Sequence, residues 1–138
     1  MPLNSNLDLP TPDSARVVAT VGVRIPMRDG ASLHAVTWRP RGATTPVPVV
    51  MELTPYGVDH LHPDGVFWAT NGFAYVAIDA RGRGNSDGEF VPLLHDADDG
   101  YDAVEWLAAQ DWCDGRVALH GGSYTGINQY LIMAAAPP

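Results

Sequence analysis

Apolar residues in this chain fall into short continuous runs, and glycine-rich polar stretches and segments of helical period lie between them. Residues 47–53 form one run, broken only by Pro48 and Glu52; residues 73–78 form a second and residues 117–120 a third. Short runs without alternation belong to strands covered on both faces, as in a parallel sheet. Residues 16–25 alternate instead and are rich in β-branched side chains. Met27-Arg28-Asp29-Gly30 then turns the chain and residues 32–38 return, which predicts an antiparallel hairpin. Residues 66–70 predict a short helix ending at Asn71-Gly72. Residues 96–110 predict a longer one, with an acidic first turn and apolar residues at Tyr101, Val104, Leu107 and Ala108, weakened by Gly100. Residues 124–136 predict a third, stopped by Pro137-Pro138. Residues 39–48 and 54–65 read as loops, and residues 1–15, rich in Pro, Asn, Asp and Ser, as a mobile leader. The order is a hairpin followed by alternating strands and helices, an α/β arrangement occupying residues 16–138 as one domain.

Composition narrows the chemistry. The 138 residues carry a net charge of −8, which disfavours nucleic acid and anionic membrane surfaces as partners. No stretch approaches the ~20 apolar residues of a membrane span. The first six residues have neither a basic head nor an apolar core, so no signal peptide is expected and the cytoplasm is the default location. The single cysteine, Cys113, cannot form an internal disulfide and reads as packing beside Trp112.

The chemistry concentrates in Leu119-His120-Gly121-Gly122-Ser123-Tyr124-Thr125-Gly126, where an apolar strand meets glycines, a serine and a helix-compatible stretch. A sharp strand-to-helix turn can hold a serine in a strained conformation with its hydroxyl exposed, provided the flanking residues are small. Ser123 is the candidate nucleophile, and the backbone N–H of Tyr124, opening the helix, is a candidate oxyanion donor. The bland alternative is a serine that caps its helix. The spacing departs from the common G-x-S-x-G, since Thr125 holds the place of the second glycine and Gly126 comes one later.

Two further stretches repair that departure: Thr54-Pro55-Tyr56 after the first buried strand, and Asp79-Ala80-Arg81-Gly82-Arg83-Gly84-Asn85-Ser86-Asp87-Gly88-Glu89-Phe90 after the second. With Trp112-Cys113-Asp114-Gly115-Arg116-Val117 before the elbow, the set resembles the cocaine-esterase / X-prolyl dipeptidyl-peptidase family of α/β-hydrolases (CocE/NonD), whose elbow looks like G-x-S-Y-x-G. The likeness runs from about Val23 to Pro137. It implies the N-terminal portion of an α/β-hydrolase fold and a serine hydrolase cleaving an ester or an X-prolyl amide through an acyl-enzyme. It also implies that Tyr56 supplies a second oxyanion donor through its hydroxyl; otherwise Tyr56 is an aromatic lid packed on Pro55.

Other constellations are weaker. Gly82-x-Gly84 follows a strand like a dinucleotide loop, but position 87 is Asp and no helix opens directly. It reads as a structural loop with Arg81 paired to a carboxylate such as Asp79. His60 and His62 beside Asp59 and Asp64 hint at a metal without a full ligand set, and Asp96, Asp98, Asp99 and Asp102 lack calcium-loop spacing. Neither metal nor cofactor is expected. His120, on the strand before the elbow, is not taken as the catalytic base.

In α/β-hydrolases the triad acid and histidine follow the serine, yet residues 124–138 contain no Asp, Glu or His and all five histidines precede Ser123. The chain therefore reads as the N-terminal piece of a larger enzyme, inactive alone. A sheet ending on the strand at 117–120 would offer an apolar edge for self-association or for a missing C-terminal half. The rival expectation is a non-catalytic fragment or subunit acting only through another polypeptide.

Overall fold

The computed structural model describes residues 11–137. The chain forms a five-stranded sheet between helices: β1 (Val17–Pro26), β2 (Ser32–Pro40), β3 (Val47–Thr54), α1 (His62–Thr70), β4 (Ala74–Asp79), α2 (Asp96–Ala108), β5 (Cys113–Leu119) and α3 (Tyr124–Ala134). Strand order is β1-β2-β4-β3-β5. β1 and β2 form the antiparallel hairpin, β2 is antiparallel to β4, and β4, β3 and β5 run parallel. A mixed sheet with helices of this arrangement is the N-terminal part of an α/β-hydrolase fold.

The uninterrupted apolar runs have the expected physical cause. Every residue of β4 is buried, as are residues 49–54 of β3, so both faces of these central strands are covered. On one face Ile25, Leu33, Val49, Met51, Val76 and Ile78 pack with Val104 and Leu107 of α2 and Ile132 of α3. On the other, Val36, Trp38, Val50, Tyr75 and Ala77 pack with Val66 and Ala69 of α1. At about 25 cal/mol per Å² of apolar surface, these two clusters dominate the favourable side of folding.

Several boundaries differ from the sequence reading. The leader assignment falls mostly on residues 1–10, outside the described residues. At its end Ser14–Arg16 form a 3-10 turn capped by Asp13, whose backbone N–H donates to Thr70 Oγ1 at 3.2 Å. α1 starts at His62 rather than residue 66, following a 3-10 turn over Asp59–Leu61. Pro63 suits a first helical turn, where its missing N–H is not needed. Gly65, placed by the sequence reading at the end of a loop, lies inside α1 and leaves room for the Trp38 indole. Gly100 has the same use in α2, because a Cβ there would run into Ile132 of α3. It is a packing device rather than only a weak point. β5 begins at Cys113, not 117; the polar Asp114-Gly115-Arg116 hid its start, and Arg116 pairs with Asp114 at 2.6 Å. The β5 edge is thus part polar, not wholly apolar as anticipated. Cys113 itself is buried in the core.

Candidate active site

The site is built where the loops after β3, β4 and β5 converge at the carboxyl ends of the parallel strands. β5 ends at Leu119, and the His120 N–H still donates to Met51 O at 2.9 Å, so the chain stays on the sheet until the glycines. It then reverses at Ser123, which sits at φ 56°, ψ −123°, a conformation rare for a residue with a side chain. Gly121 has φ 135°, and a Cβ there would collide with the Thr125 side chain. Gly126 lies close to the Gly121 carbonyl as α3 passes over the turn, with 3.5 Å between that oxygen and the place of a Cβ. Glycine is therefore needed two before the serine, whereas the place three after it has room for a Cβ at ordinary contact distance, and Thr125 is buried between.

The helix-capping alternative for Ser123 does not hold: its side chain makes no capping hydrogen bond to α3. Thr125 Oγ1 donates to Gly122 O at 2.9 Å and Gln129 Nε2 to Gly121 O at 3.1 Å, so other side chains close the turn. Ser123 is left exposed with its hydroxyl 3.5 Å from the Tyr56 hydroxyl, the outer limit of a hydrogen bond. The Tyr124 N–H, at the positive end of α3, has no acceptor among the described residues.

Tyr56 is 56% exposed, and its ring meets Tyr124 edge-on at 6.4 Å. Tyr124 is packed against Phe90 and accepts the Leu93 N–H at 2.8 Å; burial pushes its phenol up to about 12, so it stays protonated at neutral pH. Beside it, the Asp96 carboxyl at the start of α2 is buried, and its Oδ2 has no hydrogen-bond partner among the described residues. Burial raises its pKa, against the opposing pull of Tyr124 and Asn128.

Arg81 does not pair with Asp79. Its guanidinium grips Asp99 of α2 at 2.6 Å and Asp29 of the hairpin turn at 2.8 Å, and these contacts raise its pKa. Asp79 is already engaged: Oδ2 accepts from His34 Nδ1 at 2.9 Å and from the Asn85 N–H at 3.2 Å, Oδ1 from the Val58 N–H at 3.2 Å. The other candidates are placed apart. His62 accepts from the Trp38 indole at 3.1 Å, and no metal-binding group of His, Cys, Asp or Glu occurs among the described residues. Asp98 and Asp102 bind Arg28. His120 turns to Glu52 at 3.2 Å on the α1 face, where Glu52 also accepts from Tyr75 at 2.7 Å and both burial and that bond raise the Tyr75 pKa. No histidine hydrogen-bonds Ser123 among the described residues. His34 was missed as part of this region, and Asp79 and Arg83, though within the glycine stretch, were not expected to hold the backbone around Tyr56; an acidic residue ending a fully apolar strand before a G-x-G was the available signal.

Comparison with known proteins agrees with this geometry. The family model for X-Pro dipeptidyl-peptidases (S15 family) matches residues 29–138. Cocaine esterase from Rhodococcus sp. (strain MB1 Bresler) is 40% identical over 118 residues, 78% of this chain and 20% of the esterase. A CocE/NonD family hydrolase from Staphylococcus aureus superposes with a TM-score of 0.81 at 26% identity, over 88% of this chain and 26% of that one. An α-amino acid ester hydrolase gives 0.80 at 25% identity, over 100% of this chain and 27% of its own. The chain thus spans about a fifth of the esterase and about a quarter of these two structures. No helix among the described residues is long and apolar enough to cross a membrane. The matched motifs and the sheet order agree: the chain belongs to the X-Pro dipeptidyl-peptidase (S15) family and carries part of the fold seen in CocE/NonD-type structures.

Proposed function

We propose that Ser123 is the nucleophile of a serine hydrolase that cleaves esters or X-prolyl amides through an acyl-enzyme. The observation that carries this reading is a serine at positive φ whose hydroxyl neither caps its helix nor packs, but stands exposed 3.5 Å from a tyrosine hydroxyl. A strained, exposed serine is maintained only where the surrounding fold over-determines it.

In the reaction, Ser123 Oγ attacks the carbonyl carbon while its proton passes to a histidine base. The oxyanion that develops is met by the Tyr124 N–H and the Tyr56 hydroxyl, the latter reorienting from Ser123 toward the substrate oxygen. The C–O or C–N bond to the leaving group then breaks, and the histidine returns the proton to the departing alcohol or amine. Water, deprotonated by the same base, releases the acid. The triad acid and base come from outside residues 1–138. Among the described residues His34 and His120 are already committed to Asp79 and Glu52. Purified alone, residues 1–138 accordingly show no turnover and no labelling by serine-directed phosphonates. The exposed Ile127, Tyr130 and Met133 of α3 favour self-association of that piece.

The test is Ser123→Ala in the full-length protein, assayed with 4-nitrophenyl acetate and a glycyl-prolyl anilide. Turnover on whichever probe is cleaved falls on the order of 10⁶-fold with the thermal transition retained. A variant keeping a tenth of the activity overturns the assignment.

A further inference from the structure

A hydroxyl that stabilises an oxyanion must be held to a few tenths of an ångström, yet Tyr56 is more than half exposed and touches only one other aromatic ring at an edge. Side-chain packing therefore does not fix it; its backbone must. The backbone there is clamped on both sides. The Tyr56 N–H donates to Thr54 Oγ1 at 3.1 Å, and Thr54 is fully buried. Just before Tyr56, the Pro55 carbonyl accepts from Arg83 Nε at 2.9 Å. Just after it, Gly57 turns at φ 93° and the Val58 N–H donates to Asp79 Oδ1 at 3.2 Å.

One outer clamp, Asp79, is the last residue of β4 and the other, Arg83, lies in the glycine loop that follows it. Asp79 is 1% exposed, and its second oxygen is held by His34 of β2 and by the Asn85 N–H. Gly84, at φ 50°, lets the loop close over that carboxylate, because a Cβ at this position would overlap it. Successive backbone groups in such a loop make a concavity for an anion, and here the anion is the chain's own. Arg83 leaves the same loop, lies over the Phe90 ring at 5.2 Å and reaches the Pro55 carbonyl.

We propose that Asp79 and Arg83 are positioning residues for the Tyr56 hydroxyl. The glycine loop, anchored to β2 through His34, fixes the backbone on either side of Tyr56 and so delivers an exposed phenol to the reacting carbonyl. This rests on the reading of Tyr56 as an oxyanion donor.

The test is a set of double-mutant cycles in the full-length protein, with kcat and KM for 4-nitrophenyl acetate. Tyr56→Phe lowers kcat by about 10²–10³-fold. Arg83→Met, which keeps the stem over Phe90, and Asp79→Asn, which keeps the size and one acceptor, each lower kcat about tenfold or more with KM within about twofold. In the Tyr56→Phe background each costs less than about twofold, because the hydroxyl it positions is gone. A merely structural role would cost the same in both backgrounds, and that additivity overturns the proposal. So does an unchanged kcat in Arg83→Met, an exposed residue whose replacement leaves the core intact and which decides the matter if Asp79→Asn fails to fold. An unchanged kcat in Tyr56→Phe removes the oxyanion reading itself, and with it the reason for the clamp.

Discussion

Two glycine-bearing loops leave the carboxyl ends of β4 and β5, the parallel strands on either side of β3, and they use glycine for opposite purposes. In the elbow after β5, Gly121 removes a side chain so that strand and helix pass close together and Ser123 stands outward. In the loop after β4, Gly84 removes a side chain so that the chain can fold inward over Asp79. The elbow exposes a strained group; the other buries a charged one and satisfies it with His34 and two backbone N–H groups. Glycine spacing reports that something approaches the backbone closely. It does not report whether that something is a following helix, a phosphate or the chain's own carboxylate. That is why the G-x-G after β4 looked like a failed dinucleotide loop.

Adding one methyl group to each loop separates the two uses. Gly121→Ala, which combines φ 135° with a collision against buried Thr125, has the largest expected effect. Turnover drops by at least the factor of about 10² that accompanies an ångström-scale misplacement of reacting groups, and the fold loses about 3 kcal/mol or more. Activity together with urea denaturation of the full-length protein reads both; an unchanged turnover would mean that the elbow tolerates a side chain.

Gly84→Ala comes next. It asks the Asp79 carboxylate to give way, with an expected loss of about 2–3 kcal/mol as buried donors lose their partner. Gly115→Ala is the matched control: at φ 89° it meets nothing within 4 Å, so only backbone strain of about 1 kcal/mol applies. Equal losses in the two variants would show that the carboxylate does not constrain the loop.

The smallest effect lies where the two loops meet. Asp96, at the start of the helix that follows the β4 loop, faces Tyr124 and Asn128 of the helix that follows the elbow. Its folded pKa is raised above the unfolded value, so the fold favours the protonated carboxyl. The stabilisation is fully present below the unfolded pKa and is lost as pH rises through the raised folded one. Asp96→Asn removes this titration. Melting temperatures measured from about pH 4 to pH 8 should decline less steeply above the ordinary carboxylate range than those of the unaltered protein. An unchanged profile would show that Asp96 does not titrate across that range.

The alternation of apolar runs with helical stretches was enough to place every strand and helix to within a few residues, because central strands and amphipathic helices are set by burial alone. The elbow was legible for the same reason: a strand, small residues, a serine and a helix are all local features. The errors fell where local and tertiary signals disagree. Gly65 reads as the end of a loop and Gly100 as a helix-weakening position until Trp38 and Ile132 are seen occupying the space they leave. Arg81 was given to Asp79, its neighbour in sequence, whereas Asp79 was already taken by groups far along the chain and Arg81 reached to Asp99 and Asp29.

The sequence by itself thus determined the α/β order, the exposed serine and the family likeness, all of which depend on residue type at short spacing. Only the tertiary structure decided which carboxylate meets which cation, that Ser123 does not cap its helix, and that the glycine loop grips the backbone around Tyr56. Those outcomes depend on pairs separated by tens of residues. Each buried donor or acceptor takes whatever partner the packed core leaves within reach, and that choice is made in space rather than along the chain.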